Sequence, residues 1–289
     1  MADGIDVVRR VRRPPDGGRV PPAGEGSATG AAPPGWLARH RWQRVLGPLV
    51  VLAAWWIASG TGLVDPRFLS TPPQVFDVFV AEARAGTLQA ALAVSLGRVA
   101  KGLAIGVAAG VAIGVAAGIS RRGEDVLDSA LQMLRTIPFI ALTSLFVVWF
   151  GIGEAPKVAL VALATFFPIY LNVHNGIRNV DARLVEAAQS FGLKRWGIVR
   201  EVVLPGALPQ ALLGLRIAMG VSWLALVAAE QINSSSGVGA LLSNAQNDLN
   251  SAGVVAGIVT YAGLGIVTDL VVRLLEKRLL VWRRGFAGA

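Results

Sequence analysis

Cysteine is absent from the 289-residue sequence, histidine occurs twice, and charged residues make up only 16% of it, against roughly 25% in an ordinary soluble domain. Without cysteine there is no disulfide framework, no thiolate nucleophile and no cysteine-ligated zinc or iron–sulfur centre. His40 and His174 alone do not make a metal cluster. No Gly-x-x-x-x-Gly-Lys-Ser/Thr run is present to cradle phosphates, and no Gly-x-Ser-x-Gly elbow to raise a serine nucleophile. Nucleotide hydrolysis and hydrolase chemistry therefore have no visible seat in this chain, and no cofactor or metal is expected on it.

What is abundant is apolar: 54% of residues are hydrophobic and the mean hydropathy is +0.58. That balance points to lipid as the solvent, with spans of about 20 residues each. Apolar runs fall at about residues 45–63, 99–119, 131–150, 157–174, 212–230 and 253–272, which predicts an all-α membrane protein with six transmembrane helices. The third is the least regular, because Arg135 and Pro138 leave its clearest apolar stretch at Ile137 to Phe150. It is expected to begin earlier or to tilt.

The net charge of +9 does not read as a nucleic-acid surface. Its basic residues flank the apolar runs instead of forming one patch with interleaved aromatics, so membrane orientation accounts for them better. With a cytoplasmic amino terminus, most of the 27 Lys and Arg lie inside and only Arg67, Arg84, Arg98, Lys101 and Lys157 lie outside. Both termini are thus expected in the cytoplasm. Arg98 and Lys101 are expected to snorkel to the outer interface.

Residues 1–44, with Arg9, Arg10, Arg12, Arg13 and Arg19 followed by Pro-, Gly- and Ala-rich sequence, are expected to be a disordered basic tail. They lack the apolar core and cleavage site of a secretory signal. The remaining divisions are a first span and outer connection at 45–86, a core at 87–275 and a cytoplasmic tail at 276–289.

The second span carries Gly102, Gly106, Gly110, Gly114 and Gly118 at strict four-residue spacing. Small residues at this spacing let helices approach closely in lipid, where dispersion must replace the hydrophobic effect. That face is expected to meet protein, as static packing or as a surface that slides.

The loop at about 175–211 is too long for a simple turn and falls inside by the charge count. Leu184, Ala188 and Phe191 are helically spaced, Gly192 can end that helix in the left-handed conformation, and Trp196, Val199 and Val203 resume the pattern. Pro205 and Pro209 are expected to stop it before the next span. The motif reads Glu186-Ala187-Ala188, three residues, Gly192, nine residues, Val202, one residue, Leu204-Pro205. At these residues the sequence resembles the EAA loop of ABC importer permeases, departing only by Val in place of Ile.

The resemblance runs from about residue 87 to the C-terminus and is carried also by Gln132–Pro138, Trp149–Gly153, Phe167–Tyr170 and Gly176–Asn179. These stretches look like permeases of the nitrate, sulfonate and taurine group, most of all those for aliphatic sulfonates. The resemblance implies a five-helix type I importer core preceded by one extra span, in a bacterial inner membrane. It implies a homodimer, two ATP-binding cassette subunits that carry ATP and Mg2+, and a separate substrate-binding protein. It also implies that Glu186, Ala187, Ala188, Gly192, Leu204 and Pro205 pass the cassettes' closure to the spans.

For an anionic solute, the pathway should offer donors of moderate strength, and the candidates are Arg98, Arg135, Arg216 and Ser222. Pro138 and Pro168 are candidate kinks beside it. Taurine, nitrate or another small solute of the group is the alternative cargo. A secondary transporter lacks support, since there is no internal repeat and no acidic residue in mid-span. An intramembrane enzyme would rest only on Asn172, Glu230 and Asp269 near span ends, where interface placement explains them.

Overall fold

The computed structural model describes residues 36–62, 64–65, 68–120, 133 and 137–280, with side chains from residue 46 onward apart from 139, 140 and 233. Expectations for residues 1–35, for Arg135 and for the tail beyond 280 lie outside the described residues. The chain divides into two units, Met1–Val50 and Val51–Ala289. Of the first, only the opening part of helix α1 (Trp36–Gly60) is described.

In the second unit α2 (Pro72–Ala85) is followed by α3 (Thr87–Ile119), α4 (Phe139–Phe150) and α5 (Glu154–Arg178). The short helices α6 (Ala182–Ser190) and α7 (Arg195–Ile198) come next. They lead into α8 (Leu204–Asn233), α9 (Val238–Asn247) and α10 (Ser251–Leu279). All regular structure among the described residues is helical.

Four helical stretches are long and apolar enough to cross a membrane: α3, α5, the run Arg195–Ile232 and α10. Leu46–Gly60 and Ala141–Phe150 are shorter apolar helices. At 33 residues α3 spans about 50 Å, and it begins 12 residues before the apolar run that announces it. The polar residues of that stretch find partners on neighbouring helices: Thr87 and Gln89 donate to Glu82 and Ala83 of α2, and Ser95 and Arg98 to Glu230 of α8.

Pro205 and Pro209 do not end the helical run. Residues Val199–Val203 form a π-type stretch continuous with α8, and the Leu204 amide donates to the Val199 carbonyl five residues back. The widened turn lies directly before Pro205, which has no N–H to give the usual i−4 bond. Pro205 then occupies the first turn of α8, where a missing donor is tolerated.

Helix α5 is the spine, packed along α3 and along α8. All five glycines of the α3 row are buried. A Cβ at Gly102 would lie 2.6 Å from Val161 Cβ, at Gly110 2.8 Å from Ile169 Cγ2, and at Gly118 2.9 Å from Ile177 Cβ. At Gly106 it would run into Thr165 Oγ1 and the Ala162 carbonyl. The bare backbone of α3 thus lies directly against α5, with branched side chains of α5 filling the space that Cβ atoms would take. One apolar cluster includes Val99, Phe146, Leu160, Val161, Trp223 and Leu226, and a second includes Ile169, Val173, Ile177, Ala207 and Ala218.

Candidate functional site

After α5 ends at Arg178, Asp181 caps α6 by accepting a hydrogen bond from the Arg183 amide at 2.9 Å. At the other end Gly192 adopts φ +81°. Its N–H donates to the Gln189 carbonyl at 2.9 Å, and the Leu193 N–H donates to the Ala188 carbonyl at 3.1 Å. This pair of bonds closes a helix around a left-handed residue, and it turns the chain into α7.

The resulting helix–turn–helix has two unlike faces. Ala188, Ile198 and Val199 are buried, whereas Leu184 is 57% exposed, Trp196 72% and Phe191 85%. Glu186, Ala187 and Pro205 are exposed as well. Three large apolar side chains within thirteen residues, beside one carboxylate and a small alanine, make a surface fit for a protein groove.

The pathway candidates are dispersed. Ser222 is fully buried and donates to the Met219 carbonyl of its own helix at 2.7 Å. Arg216, half-exposed, bonds Glu276 at 2.7 Å and lies 3.5 Å from Asp269, tying α8 to α10. Arg98 is only 2% exposed. Its guanidinium does not snorkel: it is surrounded by protein acceptors.

Those acceptors form an ionic cluster that is buried at Arg98 and Glu230 and open at Glu154, whose side chain is 60% exposed. Arg98 Nε donates to Glu154 Oε2 at 2.6 Å and Nη1 to Glu230 Oε1 at 2.6 Å, while Nη2 pairs with Glu154 Oε1. Nη1 also donates to the Ser236 carbonyl at 2.7 Å, and Nη2 to Ser236 Oγ at 2.9 Å. The planar fork suits this bidentate arrangement. Glu230, at 0% exposure, accepts further bonds from Ser95 Oγ at 2.8 Å, the Gly239 amide at 2.8 Å and Tyr261 at 3.2 Å. Gly237 lies so close that a Cβ there would be 2.7 Å from Arg98 Nη1. Lys157 sits 3.5 Å from Glu154.

The cluster therefore pins α3, α5, α8, α9, α10 and the Ser234–Gly237 turn together. Glu230, expected at an interface, is instead buried, because a carboxylate with this many donors remains solvated without water. Ser95, Glu154, Ser236 and Tyr261 were missed by sequence reasoning. The available signal was Glu230, which has no other charge between Arg216 and Asp248, and Arg98 at the head of another apolar run.

A helical membrane subunit with self-contained ion pairs and one surface fit for a protein partner is the class that fold and geometry define. Residues 106–281 match the family described as the binding-protein-dependent transport system inner membrane component, and the chain belongs to that family.

A protein named for aliphatic sulfonate transport, the permease SsuC of Bacillus subtilis (strain 168), is 43% identical over 251 residues, covering 86% of this chain and 91% of its own. The SsuC of Escherichia coli (strain K12) is 46% identical over 239 residues, covering 83% and 91%. The taurine transport system permease TauC of the same organism is 37% identical over 238 residues, covering 81% and 86%. A crystal structure of an amino acid ABC transporter shares the fold with a TM-score of 0.57 at 17% identity, covering 69% of this chain and 97% of that one. The inward-facing MetNI methionine ABC transporter does so with a TM-score of 0.53 at 20% identity, covering 67% and 98%. This chain is thus a non-catalytic membrane permease subunit of an ABC transporter, with the fold of type I importer permeases.

Proposed function

We propose that the subunit forms the translocation pathway for an aliphatic sulfonate in an ATP-driven importer. The observation that carries the solute class is the likeness to the two SsuC permeases over more than four-fifths of the chain. Two copies of the chain form the pathway, two cassette subunits bind ATP and Mg2+, and a separate binding protein delivers the solute. The membrane is the bacterial inner membrane, and the basic segments keep both termini in the cytoplasm.

Coupling runs through α6. Exposed Leu184, Phe191 and Trp196 enter a groove of the cassette while Glu186 meets basic or backbone donors there. Cassette closure then moves α6, and the Gly192 turn with the continuous α7–α8 helix carries the displacement into α8. The α3–α5 glycine seam moves as one body with it.

The test is uptake of hexanesulfonate by proteoliposomes holding the permease, cassette and binding protein, with ATP inside. ATP-dependent accumulation supports the reading. Accumulation of taurine or nitrate with exclusion of hexanesulfonate overturns the assignment of solute.

A further inference from the structure

Two cavities lie along the contact between α5 and α8. One, of about 330 Å3, lies between α4, α5 and α8, and Leu163, Phe167, Leu171, Ile217 and Val221 make its wall apolar. The other, of about 400 Å3, lies at the end of α5 nearest α6 and is lined by Asn175, Asn179 and Gln210 among prolines and glycines. Asn172 belongs to the first cavity and accepts a hydrogen bond from Gln210 of the second at 3.3 Å. That bond links the wall of an apolar space to the wall of an amide-lined one.

The link is built by close helix approach. A Cβ at Gly214 would lie 2.7 Å from Asn172 Cβ, and one at Gly176 3.0 Å from Gln210 Cβ. Asn172 and Asn175 share one face of α5, since residues three apart are neighbours on a helix, and Asn179 is the C-cap of that helix. Asn172 Nδ2 is held by the Pro168 carbonyl at 2.8 Å, which orients its oxygen toward Gln210. None of the described residues lining either cavity carries a charge.

From this juxtaposition we infer that the two cavities form an amphiphile transit site, the alkyl chain of an alkanesulfonate lying in the α4–α5–α8 cavity and its sulfonate oxygens on the Asn175, Asn179 and Gln210 amides. The inference rests on the solute class proposed above and names the residues that receive it. Neutral N–H donors replace part of an anion's hydration without the Coulomb well of an arginine, so the solute is held weakly enough to leave. The apolar wall excludes carboxylates that would repel the sulfonate. Arg98 and Arg216, whose guanidiniums are occupied by acidic partners, are not required.

The natural absence of cysteine supplies the assay, because one introduced thiol is the only thiol in this subunit. Leu171→Cys and Ile217→Cys report on the apolar cavity from two helices, and Asn175→Cys reports on the amide end. Each variant complex, in nanodiscs with its cassettes, is labelled with N-ethylmaleimide alone and with hexanesulfonate, methanesulfonate or hexanol. Hexanesulfonate is expected to slow labelling at all three positions by about tenfold at saturation. Methanesulfonate should slow only position 175, and hexanol only positions 171 and 217.

If the complex accumulates hexanesulfonate and none of the three positions is protected, this inference fails and the proposed function stands. If it accumulates no sulfonate, both fail. Absence of labelling at all three positions without ligand would mean that protein seals the groove, and it would equally overturn the inference.

Discussion

The two ends of α5 solve opposite problems. At its start, Glu154 joins Arg98 and Glu230 in a cluster whose charges are all met within the chain. Beyond its end, α6 and α7 leave Leu184, Phe191 and Trp196 uncovered. The first region pairs its charges within the chain, and the second leaves exposed the apolar surface on which the proposed cassette contact rests. A charge network paired within the chain ties helices together, whereas large exposed apolar side chains suit contact with a partner.

That contrast yields predictions in two currencies, stability at the first end and partnership at the second. Glu230→Ala leaves the Arg98 guanidinium buried with part of its charge unmatched and should lower stability by about 3–5 kcal/mol. Unfolding in mixed detergent–SDS micelles measures this. A loss within error of wild type would show that the cluster holds nothing together.

Next in size is the glycine seam. Gly106→Ala puts a Cβ against the Ala162 carbonyl, a backbone atom that cannot turn aside, and should cost about 1–3 kcal/mol. Gly97→Ala, on the same helix with nothing within 4 Å of its Cβ, should be neutral or stabilising by up to about 1 kcal/mol. The same unfolding assay compares the pair, and equal effects would mean that α3–α5 contact does not depend on the bare face.

At the loop end the main response should be in coupling and partnership, with a smaller loss of stability. Gly192→Val meets no neighbour but forces a branched residue to φ +81°, at about 1–2 kcal/mol locally. Membrane levels should stay normal while ATP hydrolysis no longer drives uptake, checked by measuring both in one proteoliposome preparation. Phe191→Ser and Trp196→Ser should change stability by less than about 0.5 kcal/mol, yet each should weaken retention of the cassette on a tagged permease.

Much of this contrast is legible in the sequence, for different reasons. The helical class follows from apolar runs of bilayer length, and the glycine row from its strict period, because both are local patterns. The loop's turn is equally local: Gly192 sits where a helix needs a left-handed residue. The ionic cluster is not legible in this way, since Arg98 and Glu230 are 132 residues apart and only packing brings them together. Without that packing, interface placement was the sensible expectation for both. Pro205 and Pro209 misled for a related reason. A proline rule describes the regular helix, and the π-type stretch before Pro205 evades it. Helices α2 and α9 were missed because neither is long or apolar enough to announce a span; α9 is fixed in place by the Val238 and Gly239 amides, which donate to Ser95 and Glu230.

If the ATPase docks on the exposed face of α6 and α7, that face decides whether the cassette is retained. Co-purification of the cassette with a tagged permease, wild type against the combined variant Leu184→Ser, Phe191→Ser and Trp196→Ser, tests it most directly. Stoichiometric cassette is expected on the wild type and about a tenfold or greater loss on the variant, with the two permeases equally resistant to SDS. Full retention of an active cassette by the variant would contradict it.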